Sequence, residues 1–301
     1  MSGRAGGAGG VEPWRAGNEF ERLRESNTVM YVRTDRRMML QKNGFVGFGD
    51  FLRQERGEVI QSHGIREVAR LELTDETGPR MVYLKRHGPM DLKDALKDLA
   101  LLRRVRTKAG HEFDMLAAFR RAGIAVPVAL AGGEQHVLGR DRASFLMLEA
   151  LPSGEPLRAV LSRLKEPSRR RRLIAAAAEF VRRMHEAGCG HTDLFAQHLF
   201  VTECEDGGWS VTVIDLQRAV CRPRLGAIER GRDLGALMVS VAPDAASRRE
   251  RMEFLHGYLG RTKLTKDDAS FVRTAVLPQA RKLSRRSGYK AWRPILERLD
   301  A

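Results

Sequence analysis

Hydrophobic periodicity along this chain changes once, near Pro152, and that change constrains the fold more than any other feature. From about Thr28 to Leu148, the segments EVIQ, REVARLEL, MVYLK and SFLMLE carry β-branched or alternating apolar residues, the pattern of half-buried strands. After MVYLK, the stretches DLKDALKDLALLRRVR and HEFDMLAAFRRAG place apolar residues at helical spacing, and Gly123 is set to stop the second. Beyond Pro152, RRRRLIAAAAEFVRRMHEAG reads as a long helix closed by Gly188, and RDLGALMVSV and RRERMEFLHGYLG read as further helices. A β-rich half followed by a mainly α half predicts an α+β chain with a cleft at its junction, LEALPSGEP. The expected organisation is a flexible N-terminal tail over residues 1–27, a β-rich lobe over 28–150 and a mainly α lobe over 151–301.

The bulk properties narrow the classes of function. A chain of 301 residues with 43% hydrophobic and 30% charged residues can bury an ordinary core and is neither disordered nor collagen-like. The opening MSGRAGGAGG lacks an apolar signal region, and no later stretch approaches the ~18 apolar residues of a membrane span. Cys189, Cys204 and Cys221 are odd in number and show no paired or metal-ligand spacing, which argues against a disulfide framework or zinc site and for a reducing cytoplasm. The net charge of +15 favours anionic partners, and nucleic acid, phosphorylated sugars and an acidic lipid surface all qualify.

Chemistry concentrates in GHTDLFAQHLFV and VTVIDLQRAV, where a His-x-Asp turn leads into one strand and a second strand ends in Asp. Phosphoryl transfer needs one carboxylate to orient the attacking hydroxyl and another to hold a metal bridging the phosphates, and Asp193 and Asp215 supply such a pair. Protein kinases write these parts as H-R-D-x-x-x-x-N and D-F-G. His191 and Asp193 match the first, His198 stands where Asn is usual, and Asp215 opens D-L-Q in place of D-F-G. Upstream, Lys85 ends a strand where a kinase places its phosphate-gripping lysine, and Glu112 is expected at the start of the following helix, ready to pair with it. The glycine-rich nucleotide loop is poorly written. It is placed at Ser62 to Arg66, with Arg66 in reach of a phosphate, and the hinge from Glu149 to Leu151 is expected to meet adenine through backbone groups.

YLKRHG, AGHEF, RRAGIAVP, RRMHEAGCGH, TDLFAQHLF, VIDLQRA and GRDLGAL together resemble the lipopolysaccharide core heptose kinases, the Kdo/WaaP family, over about residues 55 to 260. That family is similar in reading H-R-D-x-x-x-x-H and I-D-L-x-R-A, so His198 agrees with it. The resemblance implies a bilobal protein-kinase-like fold, with a nucleotide-binding first lobe and a catalytic, acceptor-binding second lobe. It also implies ATP with Mg2+, or Mn2+ in its place, as cofactors. The acceptor it implies is lipopolysaccharide core or another anionic glycolipid, met at an anionic cytoplasmic membrane surface, with nucleic acid disfavoured. In its site Asp193, Lys85 and Glu112 would be catalytic, Lys85, Arg66, Glu149 and Leu151 would meet the nucleotide, and Asp215 with His198 would hold the metal. For His198, metal, phosphate or a hydrogen bond within the catalytic loop stay open, because imidazole suits softer metals than magnesium.

Thr192 replaces the Arg of H-R-D, which removes a docking point for a phosphorylated activation loop. Asp233 is expected to brace the catalytic-loop backbone, and His185 to pack or cap at the end of its helix. Arg169 to Arg172 sit at the wrong helix end for the dipole and read as a solvated face or docking surface. The last stretch, Arg261 to Ala301, holds eleven Lys or Arg against four Asp or Glu. Tyr289 and Trp292 lie within it, suited to a membrane interface, sugar stacking or simple packing. Two rival functions stay open: a kinase for a protein or other small molecule, and a basic pseudokinase scaffold binding anionic lipid or nucleic acid.

Overall fold

The computed structural model describes residues 19–25, 27–88, 107–137 and 140–298. The predicted helix over residues 91–106 lies outside them. Two compact units emerge, one formed by residues 1–117 and 129–149, the other by 118–128 and 150–301. The change of unit at Glu149 falls where the hydrophobic period changes, while 118–128, read as part of the first lobe, joins the second unit.

The first unit is built on a seven-stranded antiparallel sheet in the order β1-β2-β6-β7-β5-β4-β3. Its strands are β1 (Phe20–Glu25), β2 (Thr28–Arg33), β3 (Glu58–His63), β4 (Arg66–Asp75), β5 (Gly78–His87), β6 (Ala129–Val137) and β7 (Arg140–Glu149). Phe20–Glu25 falls within the expected tail of residues 1–27. Its pairing with β2 through the register Phe20↔Arg33 to Glu25↔Thr28 corrects that reading, because a polar segment can still add an edge strand through its backbone.

Alternation of side chains assigns the two sheet faces. On one face Val82 and Leu84 of β5 lie beside Met147 and Phe145 of β7, and Phe145 stacks on Phe51 of helix α2 (Phe48–Arg53) with centroids 4.1 Å apart. A shorter helix, α1 (Arg37–Lys42), precedes it. On the other face lie Tyr83, Lys85 and His87, with helix α3 (Lys108–Arg121) against them through the Lys85–Glu112 pair. Thr107 caps α3 by accepting from Gly110 N at 2.8 Å, and its hydroxyl donates to buried Glu134 at 2.7 Å. Gly110 is needed for this approach, since a Cβ there would fall 2.0 Å from the Glu134 carboxylate.

The second unit is mainly helical: α4 (Leu157–Arg163), α5 (Pro167–Glu186), α6 (Ala227–Ser240), α7 (Arg248–Leu259), α8 (Lys266–Phe271), α9 (Leu277–Ser284) and α10 (Arg293–Glu297). Small sheets join β8 (Glu155–Pro156), β10 (Leu199–Glu203) and β11 (Trp209–Val213), and β9 (Cys189–Gly190) with β12 (Val220–Cys221). Helix α5 starts at Pro167, with Glu166 accepting from Ser168 N and Arg169 N, and buries Leu173, Ile174, Ala177, Val181 and Met184 along one stripe. Gly188 ends it at φ 76°, and a Cβ there would meet Arg222 O at 1.8 Å, so only glycine fits.

The basic run that opens α5 is divided: Arg171 and Arg172 are exposed, as expected of a solvated face, while Arg169 and Arg170 have acidic partners. Arg169 pairs with Glu203, with Nε at 2.9 Å, and Arg170 bonds Glu250 at 2.6 Å and the carbonyls of Leu161, Leu164 and Ala245. Partners from other elements thus outweigh an unfavourable helix dipole of about 0.3–1 kcal/mol. Trp292 is buried and donates to Val241 O at 3.0 Å, while Tyr289 stacks on Phe195, so these C-terminal aromatics pack inside the unit.

Candidate active site

In the first unit, Lys85 stands near the end of β5, opposite Val68 of β4 and Leu146 of β7. Its Nζ meets Glu112 Oε1 at 2.5 Å, with the lysine side chain 11% exposed and the glutamate 0%. Glu112 lies within α3 rather than at its start, because the helix begins at capped Lys108. A buried charge needs a partner, and this pair gives each side one. The ammonium keeps further donors for phosphate oxygens.

Arg66 opens β4 opposite His87, two positions from the Val68↔Lys85 pair, and therefore lies on the same sheet face as Lys85. Its Nε is buried and has no hydrogen-bond partner among the described residues. The β3–β4 turn beside it contains Gly64 at φ 55°, and Ile65 O accepts from Gly88 N at 2.7 Å. At the end of β7 the Glu149 carboxylate is held by Arg80 at 2.8 Å, and Leu151 beyond it is half-buried.

In the second unit, the segments 191–198 and 214–218 are cross-linked. His191 Nε2 bonds Ile214 O at 2.9 Å, Ile214 N donates to His198 O at 2.9 Å, and Thr192 Oγ1 donates to Arg218 O at 2.7 Å. From below, Asp233, fully buried on α6, accepts from His191 N at 2.8 Å, which gives it the predicted bracing role. His185 is buried too, but it bonds Asp233 at 3.2 Å and Tyr258 at 2.9 Å, so it belongs to this brace and does not cap its helix.

Asp193 and Asp215 each keep about 30% of the side chain exposed, at 30% and 31%. Asp193 Oδ2 accepts from Arg218 Nη1 at 2.8 Å. Arg218, within VIDLQRA, is a site residue that sequence spacing does not point to, since the contact joins two separate segments. Where H-R-D has an arginine beside the aspartate, this chain has Thr192 and brings a guanidinium from the other segment.

His198 donates from Nδ1 to Asp193 O at 2.9 Å and turns Nε2 towards Asp215 Oδ2 at 4.0 Å. Burial, followed by the neighbouring His191 ring, lowers its pKa below the usual range, so the imidazole is neutral at pH 7. Among the described residues no group of three or more His, Cys, Asp or Glu could hold a metal. Asp215 fits Mg2+ all the same, because that ion is commonly held by one or two carboxylates, substrate phosphates and water.

Residues 50–258 match the lipopolysaccharide kinase (Kdo/WaaP) family. The chain belongs to that family. Its relatives include the lipopolysaccharide core heptose(I) kinase WaaP of Escherichia coli K12, 31% identical over 68% of this chain and 78% of that protein. WaaP of Pseudomonas aeruginosa is 27% identical over 71% of this chain and 84% of its own length. Among solved structures, WaaP in complex with acyl carrier protein superposes with a TM-score of 0.62 at 23% identity, covering 87% of this chain and 99% of that one. The fold is thus the protein-kinase-like α+β fold of WaaP. As a Kdo/WaaP kinase the chain is a phosphotransferase that uses ATP. No helix among the described residues is long and apolar enough to cross a membrane.

Proposed function

We propose that this kinase transfers the γ-phosphate of ATP to a heptose hydroxyl of the lipopolysaccharide inner core, at an anionic membrane face in the cytoplasm. The observation that carries the chemistry is the cross-linking of the Asp193 and Asp215 segments, which presents two carboxylates from one rigid network. The heptosyl acceptor rests on the heptose(I) kinases among its relatives.

Asp193 accepts the proton of the attacking hydroxyl and aims its oxygen at the γ-phosphorus; the new O–P bond forms as the bond to the β-phosphate oxygen breaks and ADP leaves. Lys85, held by Glu112, grips the α- and β-phosphates, with Arg66 as a second cation on the same sheet face. The hinge at Glu149 and Leu151 offers backbone groups to adenine. Asp215 would hold Mg2+, or Mn2+ in its place, and that ion would supply positive charge to offset the phosphate oxygens. His198, neutral and anchored on Asp193 O, has Nε2 as an acceptor towards that same position.

The reading is tested with purified protein, Mg-ATP and three acceptors: lipopolysaccharide core lacking heptose phosphate, a mixed protein substrate and free sugars. Phosphate is expected on the heptosyl core alone. Equal or faster labelling of protein would transfer the assignment to the rival kinase class, and no ATP turnover with any acceptor would favour a scaffold.

A further inference from the structure

Cys189 and Cys221 are separated by more than thirty positions in the chain, yet they face each other across the β9–β12 ladder in the register Cys221↔Cys189. Their sulfurs are 3.1 Å apart, and both are free thiols. Arg222 N donates to Gly188 O at 2.9 Å, so Gly188 and Arg222 form the hydrogen-bonded pair, and the cysteines occupy the adjacent non-hydrogen-bonded position. At such positions Cα atoms lie about 4.5 Å apart, inside the range a disulfide spans without moving the backbone. The ladder is also tightly seated, because only glycine fits at 188.

We propose that Cys189 and Cys221 are an oxidisable pair whose reversible disulfide staples the segment carrying Asp193 to the segment carrying Asp215 and Arg218. Cys221 is half-exposed and Cys189 is 1% exposed, which assigns their order of reaction. The Cys189 thiol hydrogen bond, reinforced by the nearby Arg121 charge, lowers the pKa of Cys221, whereas that hydrogen bond and burial raise the pKa of Cys189. With hydrogen peroxide as oxidant, the Cys221 thiolate attacks one peroxide oxygen, the O–O bond breaks, and the departing hydroxide takes a proton to become water. The Cys221 sulfenic acid is then attacked by the Cys189 sulfur, which gives up its proton as a second water leaves. Two thiols are oxidised, one peroxide is reduced, and one S–S bond forms. The bond closes a ladder already in place, so oxidation stabilises the second unit.

The test uses the full chain, treated with hydrogen peroxide and then alkylated, with exposed Cys204 as internal control. Peptide mapping is expected to show a Cys189–Cys221 link with Cys204 alone alkylated. The melting temperature is expected to rise by roughly 5 °C or more, to return with dithiothreitol, and not to shift in Cys189→Ala or Cys221→Ala. Wild-type mapping needs no variant and decides the matter even if an alanine variant folds poorly. Both thiols still alkylated after peroxide, sulfinic acid on Cys221 with Cys189 free, or a link made mainly through Cys204 would each overturn the proposal.

Discussion

Thr192 and Asp215 adopt left-handed backbone conformations, at φ 66° and 62°, that side chains other than glycine rarely take. Such a conformation costs on the order of 1–3 kcal/mol and persists where its surroundings over-determine it. Here the Thr192 hydroxyl is tied to Arg218 O, and Asp215 follows Ile214, which is bonded on both sides to the 191–198 segment. Asp215→Ala is expected to weaken Mg-ATP binding and lower turnover together, by about 100-fold or more, because it removes the carboxylate proposed to hold the metal. Isothermal titration with Mg-ATP checks it, and unchanged affinity would remove Asp215 from the metal role. His198 gives a pH prediction. Its folded-state pKa lies below the unfolded value of about 6.5, so the neutral form contributes stability that is full above that pH and declines as pH falls towards the folded pKa. Thermal melts of His198→Asn between about pH 7 and 5 should therefore show a flatter stability profile than wild type. A profile parallel to wild type would mean that His198 titrates normally.

At the scale of elements, the Lys85–Glu112 contact joins the second half of β5 to α3, and each side chain is buried. Removing one partner strands a buried charge at a cost of about 3–5 kcal/mol, while replacing both with apolar groups of similar size costs much less than the sum. Glu112→Leu and Lys85→Met, made singly and together, are expected to show a coupling of about 1–3 kcal/mol in urea unfolding. Simple additivity would contradict the pair. This contact is legible in the sequence from the kinase-like order of a lysine near a strand end and a glutamate on a later helix. The helix starts at Lys108 rather than at Glu112 because Thr107 caps it through Gly110 N, with the Thr107 hydroxyl fixed in turn by distant Glu134. The Arg218–Asp193 pair and the two facing cysteines were illegible for a related reason. They depend on loops and two-residue strands, too short to carry any periodicity. Arg169 and Arg170 looked solvated because their partners, Glu203 and Glu250, belong to other elements.

For the whole molecule, the kinase-like order of Lys85, Glu112, Asp193 and Asp215 anticipated the family. The excess charge of +15 makes a further claim about the acceptor. Lys282, Arg285 and Arg286 are exposed, and each would contribute about 1 kcal/mol if held within a Debye length of ~8 Å of an anionic surface. Replacing all three with Gln is expected to weaken binding to anionic vesicles, and to steepen no other step, with ATP affinity unchanged. Vesicle sedimentation across a salt series, with a competing oligonucleotide alongside, checks this, because nucleic acid would show a similar salt slope. Binding that is flat with salt would assign the charge to another purpose. The central claim is that Asp193 directs a core hydroxyl onto the γ-phosphate of ATP, and it is tested most directly by following labelled phosphate from γ-labelled ATP into heptosyl lipopolysaccharide core with wild-type protein and Asp193→Asn. The account predicts labelled heptose with wild type, and a rate lowered about 10²- to 10⁴-fold in the variant at nearly unchanged ATP affinity. Near-normal labelling by a folded Asp193→Asn protein would contradict it.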